Sequence, residues 1–262
     1  MTDSLKPREA FILAVANRKG GSGKSTTVVN LAWQWAKNKQ KVLVVDLDTQ
    51  GHASVGFKHH ATSGFVHDLF RKKVVSFDEI VQETSFANIS IAAADTHFYQ
   101  NDHEIDTSAL EQALHVYCRK NRIERVIIDT PPTFDSLLVS AFRAADGIVV
   151  PFCPHFLAEV GVKQLTSLFL KIASSNQKPI SVLGLLPTMM DLRKNLHKRV
   201  IASLTTQFGK KMLLRGIREN VALAEAFEAG KPIGEFAPKS KGAMDYQLMS
   251  EDLEILLKLE KT

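Results

Sequence analysis

Several common features are scarce or absent in this chain of 262 residues. Only two cysteines occur, Cys118 and Cys153, far apart and in no metal or redox spacing. They read as reduced core thiols of a cytoplasmic protein. No apolar run approaches the ~18 residues of a membrane-spanning helix. Residues 1–10 lack the apolar segment of a signal peptide, so no export is expected. His59, His60, His67, His97 and His103 keep no metal-ligand spacing and read as surface or loop histidines. Internal repeats and low-complexity stretches are missing. Charge is only mildly unbalanced: 33 Lys and Arg stand against 28 Asp and Glu, a net charge of +5. That permits an acidic polymer as partner without requiring one.

The length suits one large α/β domain with its own core. Its central stretch is Asn17-Arg18-Lys19-Gly20-Gly21-Ser22-Gly23-Lys24-Ser25-Thr26-Thr27. An apolar strand, Phe11–Ala16, precedes it, and a helical pattern through Val28, Val29, Leu31, Ala32 and Trp35 follows. Strand, glycine-rich turn and helix start make a phosphate cradle. Glycines let backbone N–H groups approach phosphates, and the helix N-terminus adds its positive end. In this motif Lys24 reaches the β- and γ-phosphates and the Ser25 hydroxyl holds Mg²⁺.

Two further apolar strands end in carboxylates: Lys41–Asp48, running into Thr49-Gln50-Gly51, and Arg125–Asp129, stopped by Pro131 and Pro132. Strand ends of this kind are where open α/β sheets place ligands. Asp129 is Walker-B-like and is expected to hold Mg²⁺, through a water. Additional strands are expected at Asn88–Ala94, Gly147–Phe152, Ser181–Met189 and Met212–Leu214. Helices are expected at Gly64–Phe70, Ser76–Val81, Asp106–Asn121, Phe156–Leu170, Asp191–Arg199, Glu219–Ala226 and Met244–Leu259.

The standard loop carries Gly where this chain has Arg18, and here an extra lysine, Lys19, precedes the two glycines. Lys19-Gly-Gly-x-Gly-Lys-Ser resembles the deviant Walker A motif of the ParA/MinD family of ATPases, and ParA (Soj)-type members in particular. Asp46-x-Asp48-x-Gln50-Gly51, the Asp129-x-Pro-Pro switch, Glu219–Ala226 and Pro238-x-Ser240-x-Gly242-Ala243 agree with that family, so the resemblance runs from residue 11 to about 248. It implies a single-domain, three-layer P-loop NTPase fold over residues 11–262, mostly parallel with helices on both faces, after a flexible lead-in at 1–10. It implies ATP and Mg²⁺ as ligands and a slow ATPase with Lys19, Lys24 and Asp48 as catalytic residues. Lys19 would cross a homodimer interface to the partner's nucleotide; Asp48 would orient the attacking water. Asp46 and Asp48 would join Ser25 and Asp129 around the metal. Residues Lys19–Thr26 would hold phosphates, with Pro187, Thr188, Met189, Ala237 and Pro238 bordering the base.

The same resemblance, with the basic balance, suggests nonspecific DNA binding by the ATP-state dimer. Arg193, Lys194, Lys198, Arg199, Lys211, Arg215, Arg218, Lys239 and Lys241 are the candidate contacts. No N-terminal helix-turn-helix is expected. The implied function is a cytoplasmic, nucleoid-associated partition or positioning ATPase, stimulated by a ParB-like or cargo-adaptor protein. Its cargo would be a plasmid, a chromosome or a protein assembly. A MinD-like membrane-cycling regulator is the alternative, and the acidic last helix speaks against it. A metabolic or metal-cluster carrier ATPase is a third reading, which lacks its paired cysteines.

Overall fold

The computed structural model describes residues 10–61, 64–71, 76–100, 104–175 and 180–259. The lead-in at 1–9 and His103 lie outside them. Seven strands, β1 Phe11–Val15, β2 Val42–Asp46, β3 Val81–Glu83, β4 Ile89–Ala92, β5 Arg125–Asp129, β6 Gly147–Phe152 and β7 Ser181–Pro187, form one sheet. The order is β3-β4-β2-β5-β1-β6-β7, parallel throughout except for β3 against β4. Strands β2 and β6 are buried along their whole length, which explains why they read as continuous apolar runs rather than alternating ones.

The helices are α1 Lys24–Lys37, α2 His52–Gly56, α3 Phe77–Ile80, α4 Ala109–Asn121, α5 Ser136–Ala144, α6 Ala158–Ser175, α7 Asn195–Phe208, α8 Val221–Glu228, α9 Ile233–Phe236 and α10 Lys241–Leu259. They cover both sheet faces. Leu110, Leu138, Leu165 and Leu204 from α4, α5, α6 and α7 pack on one face with Ala14, Val45 and Ile128. Leu31, Trp35, Tyr246, Met249 and Leu253 from α1 and α10 pack on the other with Leu13, Val44 and Ile127. The last helix buries Tyr246, Met249, Leu253 and Leu257 at three- and four-residue spacing, so it closes the fold as its leucine pattern indicates. No helix among the described residues is long and apolar enough to cross a membrane.

Local expectations differ from the structure at a few places. Gly64–Phe70 yields a 3-10 turn over Val66–Phe70. The helix expected over Ser76–Val81 is one turn, Phe77–Ile80, after which the chain enters the edge strand β3. Met212–Leu214 is not a strand: a 3-10 turn takes up Lys210–Met212 after Gly209 (φ +87°), leaving one bridge of Leu213 to Leu185. The basic helix starts at Asn195 rather than Asp191, because the Asp191 carboxylate accepts from Arg193 N at 3.0 Å and holds a turn. His67 is fully buried, not a surface residue. Cys118 is a buried thiol pushed up to about 12 by burial, whereas Cys153 is only half-buried.

Strand β1 lies between β5 and β6, so the chain leaves β1 towards β2 on one side and crosses to β6 on the other only after β5. That switch point opens a crevice at the carboxyl ends of the parallel strands. The loop after β1 and the carboxylates ending β2 and β5 all meet there.

Candidate functional site

The loop from Asn17 to Gly23 is built to face an anion. Gly21 (φ +69°) and Gly23 (φ +85°) take the left-handed conformation that side chains disfavour. A Cβ on Gly20 or Gly21 would meet nothing within 4 Å, so the loop rim is open space. Helix α1 starts at Lys24 with no side-chain cap and no acidic residue in its first turn. Its first N–H groups are therefore available to a phosphate.

Three struts fix the loop. Asn17 donates to Pro151 O at 2.6 Å and accepts from Lys19 N at 3.0 Å, tying the loop entry to β6. Thr188 donates from Oγ1 to Ser22 O at 2.9 Å and from its N–H to Phe152 O at 2.8 Å. Thr130 donates to Val15 O at 3.0 Å. No sequence pattern assigns the first two struts: they join residues 134 and 166 positions apart. Thr188, expected at the base, sits directly on the phosphate loop.

The carboxylates come next. Asp46 and Asp129 are register partners on β2 and β5, both fully buried. Ser54 donates to Asp46 Oδ2 from its N–H and its hydroxyl, each at 2.8 Å. Asp46 Oδ1 and both oxygens of Asp129 have no hydrogen-bond partner. Burial, opposed by Ser54 and raised further by Asp48, lifts Asp46 to about 7. Burial and then Asp46 lift Asp129 well above the carboxylate range, with Ser25 and Lys24 offsetting part of it. Two buried, partly orphaned carboxylates side by side are costly unless a cation joins them. The residues fit Mg²⁺: Asp46, Asp129 and Ser25 offer hard oxygen donors beside an anion cradle and would hold the ion, which would supply neutralisation of phosphate charge. No cluster of three or more His, Cys, Asp or Glu that could hold a metal by itself occurs among the described residues.

Asp48 is buried, and its Oδ1 accepts from Gln50 N at 3.0 Å while its carbonyl accepts from Gly51 N at 2.7 Å. The segment Asp46-Leu47-Asp48 is braced from behind by His67, whose Nε2 donates to Leu47 O at 3.3 Å while Nδ1 accepts from Asp95 N at 3.0 Å. Its ring stacks on Phe98 with centroids 4.6 Å apart. Burial pushes His67 down to about 4, so the ring is neutral. Lys24 is buried beneath the loop, whereas Lys19 is exposed at its rim with its Nζ against His155 Nε2. Burial first, then Lys19 and His197, hold the His155 pKa below the usual range.

Of the residues expected to border the base, Pro187 ends β7 and Thr188 and Met189 follow it, with Met189 left-handed (φ +49°) and exposed. The segment after Gly216 runs alongside them: Ile217 N donates to Pro187 O at 2.7 Å and Glu219 N to Met190 O at 3.1 Å. The structure does not bring Ala237 and Pro238 to this place. Ile233 N is tied to Asn30 Oδ1 at 2.7 Å, and Pro238 lies beside Trp33, Gln34 and Lys37, in the last turns of α1, the far end from Lys24.

The basic residues divide. Arg193 pairs with Asp191 at 3.0 Å, Lys194 with Glu219 at 3.2 Å, Arg215 with Asp252 at 3.0 Å and Arg218 with Asp245 at 2.6 Å. Lys198, Arg199, Lys211, Lys239 and Lys241 are exposed and carry no ion pair among the described residues. Helix α7 belongs to one helical layer and α10 to the other, and the 215–219 segment links them through Lys194–Glu219, Arg218–Asp245 and Arg215–Asp252.

Comparison with known proteins agrees with this geometry. A family described as an AAA domain matches residues 10–182. The chain is 34% identical over 241 residues to the chromosome-partitioning ATPase Soj of Thermus thermophilus, covering 92% of this chain and 94% of that one. It is 31% identical over 249 residues to the sporulation initiation inhibitor protein Soj of Bacillus subtilis, covering 92% and 97%. Its fold superimposes on a McdA–ATP complex from Cyanothece with a TM-score of 0.83 at 19% identity, over 95% and 97% of the two chains. A glycine loop with its early lysine, a buried carboxylate pair and these relatives place the chain in the ParA/MinD family of P-loop ATPases, among proteins similar to ParA and Soj.

Proposed function

We propose that this protein is an ATP-switched positioning ATPase whose working unit is a dimer sharing two nucleotide sites. The observation that carries the reading is the division of labour between two lysines of one loop. Lys24 is buried under the phosphate cradle, while Lys19 stands at the rim, away from Asp46 and Asp129 and against His155. A lysine so placed serves a phosphate outside its own cradle.

In this scheme the α1 N-terminus and Lys24 bind and orient the β- and γ-phosphates. When bound, Mg²⁺ supplies Lewis-acid neutralisation of phosphate oxygens. Asp48 accepts a hydrogen bond from the attacking water and aligns it with the γ-phosphorus. The bond to the ADP oxygen breaks as water adds. Lys19 from the facing subunit stabilises the charge that develops, as an arginine finger in trans does. Pro187–Met189 and the neighbouring Ile217–Glu219 segment border the base. Loss of the γ-phosphate removes what Lys19 of each subunit holds, and the dimer parts.

The ATP-state dimer binds DNA without reading sequence, through the unpaired cations Lys198, Arg199 and Lys211, with Lys239 and Lys241 as a second cluster. Arg193, Lys194, Arg215 and Arg218 contribute less, because each is already neutralised within the chain. A ParB-like or cargo-adaptor protein accelerates hydrolysis and releases the complex from the nucleoid. Relatives named for chromosome partitioning support the reading. DNA binding by Lys198→Glu/Lys211→Glu, compared with wild type in ATP and ADP, tests it. ATP-dependent wild-type binding that the double variant loses is expected; ATP-independent binding contradicts it.

A further inference from the structure

The last turns of α1 and the start of α10 enclose a cleft of about 180 Å³, whose walls include Trp33, Gln34, Lys37, Lys239 and Ser240. It lies at the far end of α1 from the phosphate loop. No carboxylate lines it. Gln34 is 6% exposed, and its side-chain amide has no hydrogen-bond partner among the described residues. A buried amide left unpaired is costly unless the cleft receives a group that it can bond. Lys37 and Lys239 are exposed and carry no ion pair among the described residues. Helix α10 has no acidic residue in its first turn, and Ser240 Oγ caps only Ala243 N, at 3.1 Å. Its other leading N–H groups and positive end favour an anion. The negative end of α1 nearby is already satisfied: Trp35 O accepts from Asn38 N at 3.1 Å and Ala36 O from Lys39 N at 2.9 Å. Trp33 gives the cleft an aromatic wall. Phe86 holds it edge-on at 5.8 Å between ring centroids, and Gly234 packs so close that a Cβ there would stand 2.4 Å from the indole nitrogen.

We propose that this cleft binds the terminal phosphate of a small phosphorylated molecule whose organic part lies against Trp33. Two ammonium groups, a buried amide and a helix N-terminus are all donors, so they select an anion with several free oxygens. A terminal phosphate offers three. A phosphate inside a DNA backbone suits the cleft less well, because it is esterified on both sides and the small recess around Gln34 would have to admit both sugars. Occupancy has a consequence. Lys239 is one of the cations assigned to DNA above, so a phosphate held here neutralises it and weakens that cluster. The consequence rests on the DNA-binding reading; the site itself does not.

The test titrates the full chain with phenyl phosphate, with Mg·ADP present to fill the phosphate loop. Tryptophan emission is the readout. Trp33 and Trp35 are the two tryptophans, and Trp35 is fully buried, so a ligand in the cleft meets Trp33. A saturable change is expected with phenyl phosphate, and none with phenol or with potassium chloride of equal ionic strength. Gln34→Leu and Lys37→Glu are each expected to weaken binding about tenfold, as loss of one hydrogen bond to a charged group or reversal of one charge does. ATP hydrolysis by both variants stays at wild-type level. With a slowly hydrolysed ATP analogue, phenyl phosphate is expected to weaken duplex DNA binding by wild type and to leave that of Gln34→Leu unchanged. A response that phenol or potassium chloride reproduces, or one indifferent to both variants, overturns the proposal. So does loss of duplex binding by Gln34→Leu without phenyl phosphate, which assigns the cleft to the DNA backbone. A chain that binds phenyl phosphate through Gln34 but binds no duplex with any nucleotide overturns the DNA reading and leaves the site standing.

Discussion

Asp46 and Asp129 sit side by side on adjacent parallel strands, both without exposure, and three of their four carboxylate oxygens have no hydrogen-bond partner. A core optimised for stability alone would not keep such a pair. Ser54 satisfies only one oxygen of the pair, Asp46 Oδ2, so the remainder suits a divalent cation.

The sign of the resulting pH dependence follows from the shifts. Asp46 rises from 3.8 to about 7 on folding, so its destabilising effect grows as pH climbs through that range. His67 falls from 6.5 to about 4, so its burial contributes fully above 6.5 and is lost as pH falls towards 4. The two oppose each other in acid, and only the carboxylates act at neutral pH. Without nucleotide and Mg²⁺, the melting temperature is expected to fall as pH rises from 6.5 through about 7, the top of the window that Asp46 sets. Asp129→Asn flattens that fall and stabilises the apo protein by about 1 kcal/mol or more while abolishing hydrolysis. Thermal melts across pH check it; an Asp129→Asn protein less stable than wild type at pH 8 contradicts it.

The two lysines separate in kinetics. Lys24→Ala is expected to lose ATP affinity together with turnover. Lys19→Ala keeps monomeric nucleotide binding but loses turnover by about 10³-fold or more, the scale of a trans-acting cation. Titration calorimetry beside steady-state hydrolysis distinguishes them.

Asp48→Ala should leave the cradle intact and remove the water's orienting group. The variant is expected to persist as an ATP-bound dimer for longer than wild type. Dimer lifetime by size measurement after ATP addition checks this; a lifetime no longer than wild type refutes the role.

His67 braces Leu47 between the two carboxylates of β2's end. His67→Phe retains a ring against Phe98 and removes both hydrogen bonds. A loss of about 1–3 kcal/mol in stability is expected for the unsatisfied Leu47 O and Asp95 N. The rate of hydrolysis should fall more than the affinity for ATP, because the displaced group is Asp48 rather than the cradle. Equal losses in both would show a purely structural role.

What was legible in the sequence is what composition fixes locally. Gly21 and Gly23 need their left-handed backbone, Lys24 and Ser25 open a helix, and Asp46 and Asp129 end apolar strands, so the site's core and the parallel sheet follow from the chain. Contacts across the sheet were not legible. Nothing in the spacing places His155 against Lys19 across 136 residues, or makes Thr188 a strut of the loop. Pro238 was drawn to the base by motif resemblance, and the anchoring of Ile233 to Asn30 puts it beside Trp33 instead. The intrachain pairing of Arg193, Lys194, Arg215 and Arg218 was not legible either, because sequence order does not show which carboxylate a basic side chain meets. His67 looked like a loop residue because a lone histidine carries no periodic signal of burial.

The central claim, that Lys19 makes the dimer the working unit, is tested most directly by the mass of the full chain in solution with ADP, ATP and a slowly hydrolysed analogue, for wild type and Lys19→Ala. The account predicts a monomer with ADP, a dimer with the analogue, and a Lys19→Ala protein that binds the analogue yet stays monomeric. A wild-type monomer under every nucleotide, or a Lys19→Ala protein that dimerises and hydrolyses ATP as wild type does, would contradict it.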